Sequence, residues 1–136
     1  MQTNNWIKPS NLPDKILRYT LVIIMLAHSI PSFTSGDIKN FGDLYLNKVG
    51  FAPFGVFLAY LIKISHIVTA ICLIINRFLI IPILFTLLVL IIGIFMVHLK
   101  DGWYVVGGGR NGIEYNVLLI ACFLHVLLNS YKSQPK

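Results

Sequence analysis

The side chains best able to do chemistry in this chain are ionisable groups set inside long apolar runs. Lys63 and His66 stand in "AYLIKISHIVTAIC", three positions apart and therefore neighbours on one helix face. Ionisable groups at membrane depth are costly and usually face a bundle interior or a functional site. Two interpretations stay open: a buried lysine paired with an acid, or part of a ligand or proton site.

The stretch "GGGRNGIEYN" before the last apolar run is a second candidate. It lacks the Gly-Lys-Ser/Thr ending of a phosphate-binding loop. Asn111 followed by Glu114 is typical of a capping box at a helix start. Turn and cap roles are predicted for Gly107, Gly108, Gly109, Asn111 and Gly112. Arg110 is left over: beside a helix N-terminus it could bind an anion or a carbonyl oxygen, or be neutralised by Glu114.

The composition indicates that lipid surrounds these residues. Hydrophobic residues make up 57% of the 136 positions, charged residues 12%, and the mean hydropathy is +0.79. Soluble domains carry about 25% charged residues. The net charge of +6 does not indicate nucleic acid, because the basic residues flank apolar segments instead of forming one stripe.

Four apolar segments approach the length of about 20 residues that a membrane-spanning helix needs. The first is the weakest: Arg18, His28 and Ser29 interrupt it, and its best stretch, "YTLVIIMLA", has the length of a signal-peptide core. We nevertheless predict an all-α membrane protein, a single domain over 1–136 with a four-transmembrane-helix bundle. The predicted spans are 15–33, 53–75, 78–97 and 112–130.

The connections predict the orientation and the pairing of the spans. Lys and Arg on the side of the N-terminus, the turn between the second and third spans and the C-terminus are offset only by Asp14, so both termini are expected to be cytoplasmic. Asn76 and Arg77 alone join the second and third spans, which predicts a tight antiparallel pair. A short interfacial helix is expected between the first two spans, where apolar residues punctuate polar ones: Ile38, Phe41, Leu44 and Leu46.

Antiparallel threading of four spans predicts a polar cluster in the outer half of the bundle. Its members are His28, Lys63, His98, Arg110, Glu114 and Asn116, with His66, Cys122 and His125 deeper. Asp101 and Glu114 are the acids expected near Lys63, and the Glu114 face continues through Leu118 and Cys122 at helical spacing.

Neither a metal site nor a redox disulfide is expected. The four histidines lie on different segments and match no compact metal-ligand spacing. Cys72 and Cys122 are expected at different depths, where each behaves as a small hydrophobe.

Four short spans, a polar residue in the second and "GWYVVGGGRNGIEYNVLLIACFL" leading into the last helix resemble the DoxX family. The resemblance covers Leu17 to Leu128 and is most specific over Gly107 to Leu119. It implies a four-helix bundle in a bacterial inner membrane and, residue by residue, roles for Gly109, Arg110, Gly112 and Glu114. Members of the family include the membrane subunit of a thiosulfate:quinone oxidoreductase, and its more distant relatives include cargo receptors and an assembly chaperone, so its scaffold is shared more widely than any activity.

The first functional hypothesis is a membrane subunit of a redox or quinone-linked complex, without catalysis of its own. Arg110, His98 or Lys63 could donate hydrogen bonds to quinone carbonyl oxygens. The alternative is a non-catalytic assembly factor, receptor or accessory subunit, and transport of a small solute or proton is less favoured. Quinone is thus the one cofactor considered, and the expected partners are membrane lipid and a protein partner or second copy, without nucleic acid.

Overall fold

Four helices long and apolar enough to cross a bilayer make up most of the computed structural model, which describes residues 12–100, 102–104 and 112–132. They are α1 (Leu12–Ser35), α3 (Gly55–Ile75), α4 (Ile80–Met96) and α5 (Ile113–Lys132), and a short α2 (Asp37–Asn40) follows α1. No strand occurs among the described residues. The prediction of an all-α membrane protein with four spanning helices is confirmed.

The predicted tight pair of α3 and α4 is confirmed and has a local cause. Asn76 adopts the left-handed conformation (φ 54°, ψ 41°) and its N–H caps the carbonyl of Cys72. Asn tolerates this conformation better than most residues, which suits a helix C-terminus. Pro82 lies in the first turn of α4, where a missing N–H leaves no helix hydrogen bond unmade.

The predicted short helix between the first two spans is also confirmed, with an unexpected geometry. After a left-handed turn at Gly36 (φ 79°), α2 continues into a helical run over Phe41–Phe51 with π-type hydrogen bonding, which is kinked at Gly50 (φ 114°). We call Asp37–Phe51 the connecting segment. Ile38 and Leu46 are buried against α3, whereas Leu44 is exposed.

Two groups of buried apolar side chains hold the bundle together. The larger contains side chains from all four long helices, with Leu21, Leu73, Ile83 and Phe123 among its fully buried members. A smaller one joins the connecting segment to Ala59 of α3. We call the end of the bundle at Asn76 and Arg77 the turn end, and the end at the connecting segment the cavity end.

Candidate functional site

A cavity of about 470 Å³ lies at the cavity end, between α3, α4 and the connecting segment. Its walls are mainly apolar, and Leu90 of the larger core and Leu46 of the smaller one both contribute to them. The polar side chains that line it come from every long helix or its extension: His28, Ser32, Asp37, Lys63, His66, His98 and Asn116. An apolar chamber with a few convergent polar groups is the usual form of a small-molecule site.

His66 and Asn116 are the most deeply buried polar groups in this wall. They are only 5% and 6% exposed. Among the described residues, the two ring nitrogens of His66 have no hydrogen-bond partner, and the same holds for Nδ2 of Asn116. Because an unmade hydrogen bond at a buried polar atom costs about 1–3 kcal/mol, both side chains are poised to bond a ligand in the cavity.

Lys63 is held by the backbone of α1. Its Nζ donates to the carbonyl oxygen of His28 at 2.8 Å, and the Ser32 hydroxyl donates to the same oxygen at 3.3 Å. Pro31 follows in the same turn and has no N–H, which weakens the helix ladder there. Within the described part of the chain no carboxylate forms an ion pair with Lys63, whose side chain also lines the cavity.

The connecting segment closes the cavity end. Phe41 and Tyr45 line the cavity with stacked rings, 5.6 Å between centroids. The Tyr45 hydroxyl donates to the backbone carbonyl of Met96, at the end of α4. Asp37, which also lines the cavity, accepts a hydrogen bond from Ser35 at the turn out of α1.

The structure brings together four of the six residues predicted to form the polar cluster. His28, Lys63, His98 and Asn116 line one cavity, whereas Glu114 does not. Arg110 lies outside the described residues, as do Gly107, Gly108, Gly109 and Asn111.

Three of the seven polar side chains in the cavity wall are not members of the predicted cluster: Ser32, Asp37 and His66. The sequence predicts His66 deeper in the bundle than this cluster, although its spacing from Lys63 places both on one helix face. No sequence pattern predicts Asp37 in the cavity wall, because Asp37 reaches the wall only when the connecting segment folds back over the bundle end.

The start of α5 is capped by backbone, not left open. The N–H groups of Ile113 and Glu114 donate to the carbonyls of Gly102 and Trp103, at 3.2 and 3.1 Å. A Cβ at Gly112 would lie 2.3 Å from the carbonyl oxygen of Tyr104, so glycine is required for this approach. Two of the donors that an anion at this helix start could use are therefore already bonded.

A second polar cluster lies at the turn end, far along α5 from the cavity. The Asp14 carboxylate lies 2.9 Å from Nε2 of His125 and accepts from Asn129 at 3.3 Å. Since these groups satisfy one another, they tie α1 to α5. Elsewhere, Cys72 and Cys122 are free thiols, and no group of three potential metal ligands occurs among the described residues.

The fold and the cavity define a multi-pass membrane protein with a ligand-sized chamber between its helices. Comparison with protein-family models, curated proteins and solved structures finds no match to the chain. The resemblance to the DoxX family therefore stays a prediction.

Proposed function

We propose that this protein is a DoxX-like membrane subunit of a redox or quinone-linked complex, and that it holds a quinone in the cavity. The observation that carries the proposal is the presence, in a mainly apolar wall, of two buried hydrogen-bonding groups without a partner among the described residues, His66 and Asn116. A quinone ring is apolar and flat, and its carbonyl oxygens accept hydrogen bonds but donate none. Asn116 Nδ2, a ring N–H of His66 and Lys63 Nζ supply donors of the matching kind.

The proposal extends to a partner protein and a location. The sequence has no Cys-x-x-Cys pair, so we assign electron transfer to a partner protein at the membrane. The resemblance to the DoxX family supports a bacterial inner membrane, with both termini cytoplasmic as the Lys and Arg distribution predicts.

The test replaces the cavity donors and measures quinone content and binding. His66→Leu and Asn116→Leu are expected to weaken binding of a ubiquinone or menaquinone by about tenfold, the loss expected for one good hydrogen bond. Their thermal stability should be unchanged or higher, because each substitution removes a buried polar group without a partner. Binding is measured on purified protein in lipid nanodiscs, together with the quinone retained from the native membrane.

His125→Gln is the matched control, since His125 belongs to the turn-end cluster and not to the cavity. It should retain wild-type binding. Wild-type protein without quinone, in native membranes and after addition of either quinone, would contradict the proposal and leave the accessory-subunit alternative in its place.

A further inference from the structure

The cavity reaches the lipid-facing surface between α3 and α4. Leu88 lies on the exposed face of α4 that also carries Leu84 and Phe95. It is 52% exposed, yet it lines the cavity. Leu84 and Phe95, on the same face of α4, are as exposed as Leu88 or more so, and they do not line the cavity. Across the gap, Leu61 of α3 is 40% exposed and also lines the cavity. Together with Ile92, these side chains form a rim that faces the cavity on one side and the bilayer on the other.

The reason for this opening is the way in which α3 and α4 pack. Thr69 and Thr86 join the two helices through hydroxyls 2.9 Å apart, on the turn-end side of the cavity. Beyond them, toward the cavity end, side chains of α3 and α4 line opposite walls of the cavity. The connecting segment then bridges to α4 through Tyr45 and the carbonyl of Met96. Among the described residues, the connecting segment thus covers the cavity toward the membrane surface, and the exposed part of its lining faces sideways, between the two bonded points.

From this geometry we infer that the ligand is a tailed lipid that enters from the bilayer, with its oxygen-bearing head at Asn116 and His66 and its hydrocarbon tail leaving through the lateral opening formed by Leu61, Leu88 and Ile92. The inference rests on the proposed function for the identity of the head, and it adds the tail and the route. A head group that accepts hydrogen bonds is held by the buried donors, whereas an apolar tail loses nothing by remaining in contact with lipid. A water-soluble quinone analogue would lack the tail that occupies the lateral opening.

The first experiment compares a ubiquinone that carries an isoprenoid tail with the same ring without a tail. Leu88→Trp narrows the lateral opening, and it is expected to weaken binding of the tailed quinone by about tenfold while changing that of the tail-less ring by less than about twofold. Leu84→Trp is the matched control: Leu84 is 51% exposed on the same face of α4 and does not line the cavity. It should bind both compounds as the wild type does.

The outcomes separate this inference from the proposed function. Equal losses for both compounds in Leu88→Trp, or no loss in either, would overturn the lateral opening while leaving quinone binding intact. Failure of wild-type protein to bind either compound would overturn both.

A second measurement does not depend on a substitution. A quinone with a photoreactive diazirine on its tail, bound to the wild-type protein in nanodiscs and irradiated, should label peptides around Leu61 and Leu88. Excess unlabelled tailed quinone should suppress this labelling. Labels spread evenly over the exposed faces of all four long helices, or insensitive to the competitor, would contradict the inference.

Discussion

Buried polar side chains do two different jobs in this bundle, and the difference lies in whether they are hydrogen-bonded. Thr69 and Thr86 are fully buried, and the Thr69 hydroxyl lies within hydrogen-bond distance of Thr86, of the Ser65 carbonyl and of the Pro82 carbonyl. His66 is equally enclosed but has no such partner among the described residues. The threonine pair therefore holds helices together, whereas His66 is available to a ligand.

The threonine pair makes a prediction at the scale of single residues. A double-mutant cycle with Thr69→Val and Thr86→Val should give a coupling energy of about 0.6 kcal/mol, and no more than about 1.7 kcal/mol, as for other hydrogen bonds between membrane helices. The free energy of unfolding is measured in mixed detergent micelles. Thr20→Val, on the exposed face of α1, serves as the control partner and should show no coupling with Thr69→Val. A coupling near zero between Thr69 and Thr86 would mean that the contact does not join α3 to α4.

At the scale of elements, the connecting segment is positioned by the close approach of two glycines. A Cβ at Gly42 would lie 2.4 Å from the Cα of Val56, and one at Gly55 would lie 2.4 Å from the carbonyl oxygen of Gly42. The N–H of Gly55 also donates to the Asn47 side chain at 2.8 Å, which caps the start of α3 from across the contact. Because Phe41 and Tyr45 are carried by this segment, its seating on α3 decides the shape of the cavity.

Gly42→Ala tests this seating. The new methyl group meets backbone, which cannot rotate away, so the substitution should lower the free energy of unfolding by about 1–3 kcal/mol and weaken ligand binding. Gly93→Ala is the control for stability. Nothing lies within 4 Å of a Cβ at Gly93, and alanine is favoured over glycine in a helix by about 1 kcal/mol, so this variant should be as stable as the wild type or more so. Thermal unfolding in detergent compares the two, and wild-type stability in Gly42→Ala would show that the segment can move off α3 at no cost.

At the scale of the whole molecule, the bundle is polar at both ends and asymmetric between them. The turn end carries the Asp14–His125–Asn129 cluster, and the cavity end carries the connecting segment and the polar groups around Lys63. The distribution of Lys and Arg predicts that the turn end is cytoplasmic.

This orientation is tested with single cysteines at exposed positions of the two ends. Lys48→Cys, on the connecting segment, should react with a membrane-impermeant maleimide added to intact cells, and Lys15→Cys, near the start of α1, should react only after the membrane is opened. Both are made in a background in which Cys72 and Cys122 are alanine. The reverse labelling pattern would invert the predicted topology without affecting the fold.

Much of the fold follows from local patterns that the sequence carries in full. Apolar length alone locates four helices, because a backbone in lipid must satisfy its own hydrogen bonds. The Asn76–Arg77 connection is too short for anything but an antiparallel pair. Helical spacing also puts Lys63 and His66 on one face, and both do line the cavity.

The residues of the candidate site could be predicted only in part from such local patterns. Helical periodicity groups Glu114 with Leu118 and Cys122, but Leu118 is exposed, and the buried face of α5 runs through Asn116, Leu119 and Phe123. In lipid, both faces of a helix are apolar, so hydrophobicity does not distinguish the inside of the bundle from the outside. Among the residues that the structure describes, which do not include Asp101, the acid in the cavity wall is Asp37, from a segment folded over the bundle end, and not Glu114.

The sequence by itself determined that this chain is an all-α membrane protein, where its helices begin and end to within a few residues, and which residue types are too polar for lipid. Only the tertiary structure decided which of those polar groups share one chamber, which of them lack partners, and where the chamber opens. The physical reason is range: length, capping and turn chemistry act over a few neighbouring residues, whereas the cavity depends on contacts such as Lys63 to His28 and Tyr45 to Met96, made between residues far apart in the chain.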